Sequence, residues 1–154
     1  MLKKYKFGFD IWGLVIFLIV MIPTFIWSAV PAPDDILRNE SKTQIIDVIG
    51  SVCQVLFAAM LCVLINQERK KLKFSPLIIA AIISIIIYFA GWILYYCGNI
   101  SPLVIMSLTL PPCFAFFFFA LDRRNFLAVF PILCFTVCHL VYGIVNFCLQ
   151  RGMV

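Results

Sequence analysis

Five long apolar runs, parted by short polar connections, set the pattern of this chain. The runs are Ile11–Val30, Ile45–Ile65, Pro76–Tyr96, Leu103–Leu121 and Phe126–Leu149, joined by connections at 31–44, 66–75, 97–102 and 122–125. The hydrocarbon core of a bilayer takes about 20 predominantly apolar residues in a helix, and each run reaches that length. Lipid offers the backbone no water, so a spanning segment must bond its own N–H and C=O groups as a helix. A barrel would need segments of roughly ten residues that alternate apolar and polar side chains, and none of these runs alternates. The pattern predicts an all-α, polytopic membrane protein, a five-helix transmembrane bundle in one domain.

The connections fix the expected threading. With the first residues inside, the inner segments hold Lys3, Lys4, Lys6, Arg69, Lys70, Lys71, Lys73, Arg123 and Arg124. The outer segments hold only Arg38, Lys42 and Arg151. Basic residues concentrate on the cytoplasmic side, so the bias predicts a cytoplasmic N-terminus and an extracytoplasmic C-terminus. The basic start before the first run also fits a signal peptide. That run is longer than a signal's apolar region, and Pro31 would follow the cut near Ser28-Ala29-Val30, so a retained anchor is expected. Ser41-Lys42-Thr43-Gln44 has the spacing of a capping box for the second helix. Trp12 at the inner boundary, with Trp27, Trp92, Tyr95 and Tyr96 at the outer one, suits the aromatic belts of a spanning protein. Prolines inside runs invite kinks, and Pro111-Pro112 is the expected break.

Composition agrees and narrows the chemistry. Of 154 residues, 64% are hydrophobic and 12% charged, far from the balance of a soluble domain. The net charge of +5 is spread over short connections without aromatic interleaving, so nucleic acid is not an expected partner. Partners are the lipid bilayer and, beyond it, a membrane-protein partner or a second copy of the chain. Seven cysteines lie in or at the ends of apolar runs, with no Cys-x-x-Cys pair, which suits packing rather than disulfides or metal. Cys134, Cys138 and His139 suggest ligands, but His139 lies about 100° round the helix from Cys138. No catalytic group, cofactor or metal site is expected.

Polar residues inside the runs carry the information about function, because lipid makes them costly unless they find partners. Asp47, Ser51, Gln54 and Ala58 follow one helical stripe on the second run. Ser84, Tyr88, Gly91 and Tyr95 do so on the third, and Thr136, His139, Gly143 and Asn146 on the fifth. If these faces meet, Asp47, Gln54, Tyr88, His139, Tyr142 and Asn146 line an outward-facing polar crevice that binds or moves a small ligand or lipid. The alternative is that the stripes only glue helices together, as small and polar residues do in membranes. Asp47 then serves the positive end of a helix dipole. His139 either bonds to Tyr88 or Asn146 as a core residue or pairs with Asp47. An accessory subunit that packs on a larger membrane protein is the second reading, and an intramembrane enzyme using His139 with Asp47 is the third.

Phe9-Asp10-Ile11-Trp12-Gly13, Ile22-Pro23, Pro31-Ala32-Pro33 through Ile36-Leu37-Arg38, and Pro111-Pro112-Cys113 carry a resemblance. Over most of its length the chain resembles a group of small multi-pass membrane proteins of Gram-positive, clostridia-like bacteria that have no assigned activity. The resemblance implies a bacterial cytoplasmic membrane and transfers no functional residue.

Overall fold

In the computed structural model, which describes residues 4–69 and 73–148, each apolar run is a helix. These are α1 (Ile11–Ala29), α2 (Gln44–Val63), α3 (Pro76–Tyr96), α4 (Pro102–Asp122) and α5 (Phe126–Gly143), the last continued by a π-helical turn at Ile144–Cys148. At 1.5 Å per residue, 19 to 21 residues span about 30 Å, the thickness of a hydrocarbon core. Lys3, Lys70, Lys71, Leu149 and Arg151, which entered the expected threading and spans, lie outside the described residues.

Successive helices run in opposite directions. The connection after α1 meets the ends of α3 and α5, and we call that end the loop face. The chain's first strand, the α2–α3 connection and the α4–α5 turn meet at the other end, the base. The main packing pairs are α3 with α4, α2 with α5, and α4 with α5, while α1 rests more lightly on α2. Phe57 of α2 joins Phe116 of α4 and Phe135 of α5, with ring centres 4.8 and 5.3 Å away. Outward lie Ile45, Val48, Val52 and Val55 on α2, Ile83, Ile86 and Ile93 on α3, and Phe130 and Val137 on α5. In water that shell would be a continuous apolar surface; acyl chains match it.

Local chemistry sets the helix ends. Asp10 caps α1 by accepting from Trp12 N–H, and Ser75 caps α3 ahead of Pro76, which needs no N–H at that position. After α3, Gly98 at φ 81° lets Gly98 and Asn99 return their N–H groups to Tyr95 and Leu94. The same closure ends α4, but with Arg124 at φ 54°, a conformation that is strained for a residue with a Cβ. Asn125 then caps α5 through Ala128 N–H and donates to the Met60 and Leu64 carbonyls at the end of α2.

Three expectations need correction. The second run does not stay helical to Ile65: Leu64–Asn66 leaves α2 as a strand, β2, antiparallel to β1 (Tyr5–Phe7), with Lys6 opposite Ile65. The pairing gives backbone groups at the bundle's edge partners that a further helical turn would have left to solvent or headgroups. Ser41 does not start α2 either; Thr43 holds the N-cap position, and the Ser41 hydroxyl accepts from Thr43 N–H instead. Finally, α4 runs unbroken through Pro111 and Pro112. Neighbouring helices on both sides hold it, which is how spanning helices tolerate proline.

Candidate functional site

At the loop face, the α1–α2 connection is pinned by one carboxylate. Asp35 accepts from the Trp27 indole at 2.9 and 3.0 Å, from the Tyr95 hydroxyl at 2.8 Å and from Arg38 at 2.9 Å. Leu37 N–H donates to the Tyr95 hydroxyl, and Tyr96 donates to the Val30 carbonyl. Burial pushes the Asp35 carboxyl upward, but the bonds from Trp27, Tyr95 and Arg38 outweigh it and hold it below its ordinary range. At the far end of the connection, Asn146 accepts from Lys42 N–H at 2.8 Å and donates to the Thr43 hydroxyl at 2.9 Å and the Tyr142 carbonyl at 3.0 Å. The connection is thus tied to α3 at one end and to α5 at the other.

Beneath it lies a crevice of about 440 Å³ between α2 and α5. Asp47, Ser51 and Gln54 line it from α2, Phe135, Cys138, His139 and Tyr142 from α5, and Leu37, Asn39 and Ser41 from the connection. The floor is close-packed: a Cβ on Gly50 would stand 3.3 Å from the Cys138 Cβ. Asp47, in the first turn of α2, accepts from Thr43 at 2.9 Å. Gln54 reaches the Met21 sulfur of α1 at 3.6 Å. His139 lies between Phe135 and Tyr142 in sequence and stacks on both, with ring centres 4.9 and 6.1 Å away.

A smaller chamber of about 160 Å³ adjoins the crevice and shares Leu37, His139 and Tyr142 with it. Its remaining walls come from α1, α3, α4 and the π-helical turn, and include Thr24, Trp27, Tyr88, Trp92, Thr109 and Phe147. Tyr88 and Thr24 share a hydrogen bond of 3.3 Å, and Thr109 donates to the Ile105 carbonyl.

Four of the six residues singled out from sequence, Asp47, Gln54, His139 and Tyr142, therefore share one cavity. Tyr88 is held in the neighbouring chamber, and Asn146 pins the connection without lining either space. Among the described residues His139 makes no hydrogen bond to Tyr88 or Asn146, and no ion pair joins it to Asp47. Trp92 departs from the expected belt, while Tyr95, expected both in the belt and on the inward stripe, follows the stripe. They sit inside the bundle at 7% and 0% exposure instead of forming an outer belt, because α3 turns its Ser84–Tyr88–Gly91–Tyr95 face toward α1 and α4. The Tyr88–Trp92–Tyr95 spacing was the signal available for that. The Thr24 hydroxyl had no such signal, since its partner Tyr88 lies 64 positions away; Asp35 has near partners in Trp27 and Arg38, but its bond from Tyr95 spans 60 positions.

A second polar cluster holds the base. Asp10 takes Arg123 at 3.0 Å and Arg69 on the same oxygen, with the Asp10 and Arg123 side chains 7% and 6% exposed. Tyr5 and Asn66 both donate to the Arg124 carbonyl. This cluster lines neither cavity, and it ties α1, the α2–α3 connection and the α4–α5 turn together.

Five helices of spanning length with an apolar shell around a partly polar interior define an integral membrane protein of the multi-pass, all-α class. Compared with family models, curated proteins and solved structures, the chain matches none.

Proposed function

We propose that this is a non-enzymatic membrane protein that binds a small ligand or a lipid in the α2–α5 crevice, or passes it across the bilayer. On the positive-inside bias the base faces the cytoplasm of a bacterial cell and the crevice opens on the outer side. One observation carries the reading: polar groups that lipid would penalise, Asp47, Ser51, Gln54 and His139, converge from two helices on a shared space of about 440 Å³. That volume lies in the range of small-molecule sites, and its mixed lining of rings and a few polar groups is typical of them. Helix glue is a weaker account, because among the described residues only Gln54 of these four bonds to another helix, at the Met21 sulfur, while all four border an open space. The catalytic reading has less support, since Asp47 bonds to a hydroxyl and not to His139.

Native mass spectrometry of the chain released from its own membranes in mild detergent tests this. A discrete adduct on the wild type, absent from Ser51→Trp with unchanged helicity, is expected. An adduct that survives both Ser51→Trp and Gln54→Trp would place it outside the crevice and defeat the reading.

A further inference from the structure

Three spaces lie side by side in the half of the bundle next to the loop face. The crevice shares Leu37, His139 and Tyr142 with the chamber, and the chamber shares Trp92 with a groove of about 340 Å³ between α1 and α3. Pro23 and Ile26 of α1 face Phe89, Ile93 and Tyr96 of α3 across that groove. α1 packs only lightly on α3, and Ile26 and Ile93, 51% and 65% exposed, put the groove on the lipid side of the bundle. Pro23 and Phe89 lie six and seven residues from the ends of their helices, so the groove reaches about 10 Å below the loop face.

Polarity falls in one direction across the three. The crevice has Asp47, Ser51, Gln54, Asn39 and Ser41 in its walls. In the chamber, Thr24 and Tyr88 bond to each other, the Trp92 N–H interacts with the Tyr88 hydroxyl, and Thr109 donates to the Ile105 carbonyl. Among the described residues the His139 and Tyr142 side chains make no hydrogen bond, and both stand in the wall shared with the crevice. The groove has one hydroxyl, that of Tyr96, and it is spent on the Val30 carbonyl. Beyond the shared wall every hydroxyl lining the chamber and the groove is thus already bonded, so a polar solute would be desolvated there for little return. An apolar chain has nothing to lose there. Charge narrows the other end. No Lys or Arg lines any of the three spaces, and Asp47 is the one carboxylate that does. A phosphate or carboxylate would meet that charge with no cation to offset it. Asp47 takes a donor, and Ser51, Gln54 and Asn39 take either role, which hydroxyl groups satisfy.

We propose, on the reading of the crevice as a ligand site, that its ligand is a single-chain amphiphile with an uncharged, hydroxyl-bearing head. The head bonds to Asp47, Ser51 and Gln54 in the crevice. The chain passes His139 and Tyr142 through the chamber and runs beside Trp92 into the α1–α3 groove, where its end meets the bilayer. Between a small solute and a lipid, the falling polarity of the three spaces selects the lipid.

The test uses the full chain carrying Trp12→Phe in phosphatidylglycerol nanodiscs, so that only Trp27 and Trp92, which line the chamber, emit as tryptophan. The probe is a monoacylglycerol with bromine near the end of its chain, a short-range quencher of tryptophan. It should quench saturably, at a mole fraction about tenfold or more below that needed by phosphatidylglycerol brominated at the same carbons. One or two hydrogen bonds to the head supply that ratio. Ser51→Phe and Gln54→Phe fill the crevice, and Ile26→Phe and Ile93→Phe fill the groove from its exposed rim. Each should remove the saturable quenching with helicity unchanged. Quenching that never saturates, or that brominated phosphatidylglycerol matches, is that of ordinary surrounding lipid and overturns the amphiphile assignment. So does quenching that the crevice variants alone remove, since the chain then does not use the groove, or that the groove variants alone remove, since the head then does not use the crevice. A cysteine at Gln54 that reacts with a soluble maleimide leaves the crevice reading standing in each of these cases. If that cysteine does not react, it is the crevice reading that has failed.

Discussion

Changing Asp10 to asparagine removes one charge from the base while leaving the shape and the helix cap nearly intact. The carboxylate does two things there: one oxygen accepts from Trp12 N–H to cap α1, and the other holds Arg123 and Arg69. Asparagine caps about as well as aspartate, so the first is kept. The second is lost at a position where both Asp10 and Arg123 are more than nine-tenths buried. Removing one partner of a buried ion pair costs about 3–5 kcal/mol, because the remaining charge stays desolvated. Asp10→Ala should add about 1 kcal/mol for the lost cap. Arg123→Gln on top of Asp10→Asn should recover most of the loss, since the pair as a whole contributes far less than its halves cost when separated. Unfolding in mixed micelles titrated with sodium dodecyl sulfate, followed by circular dichroism, measures each step. If Asp10→Asn lies within about 1 kcal/mol of wild type, or the double variant is no better than the worse single one, the base is not held by a desolvated pair.

Other consequences are as direct. Gly13→Ala puts a Cβ 2.2 Å from the Leu61 carbonyl oxygen, so α1 and α2 must part; a loss of about 1–3 kcal/mol is expected in the same titration. Arg124→Gly relieves the left-handed strain at φ 54° and gives up only an exposed contact to Glu68 at 3.9 Å, so stability should rise by up to about 1 kcal/mol. The Asp35 clamp, whose carboxyl is held below its ordinary value of 3.8, contributes fully above that value and is lost as pH falls through the lower folded one. The melting temperature of the wild type should therefore drop relative to Asp35→Asn as pH is lowered through that region, with the gap constant near neutrality.

The five helices were legible because lipid imposes a single demand, apolar length, and every run meets it without tertiary help. Boundaries set by distant partners were not. Leu64 and Ile65 continue the apolar run in sequence, and only the arrival of Tyr5–Phe7 turns them into a strand. Asp10 caps α1 through Trp12 N–H, but its pairing with Arg123 spans 113 positions and leaves no local trace. Helical spacing located the α2 and α5 stripes well enough to bring Asp47, Gln54, His139 and Tyr142 to one cavity. It could not tell that Tyr88 and Trp92 of α3 would line a separate chamber, because that depends on how α1, α4 and the end of α5 pack around α3. Trp27 and Trp92 suited a membrane boundary in composition, and depth along the helix alone does not distinguish a lipid-facing ring from one turned inward.

A ligand site between α2 and α5 requires the crevice to be a water-reached opening at the loop face. Single cysteines at Gln54 and at Val55, which is 70% exposed on the lipid side one position on, test this in a chain whose native cysteines are replaced by alanine or serine. Intact cells are treated with a membrane-impermeant maleimide. The account predicts that the Gln54 cysteine reacts from outside and the Val55 cysteine does not. If both stay unlabelled, or if Gln54 is reached only after the cells are opened, the outward crevice is contradicted.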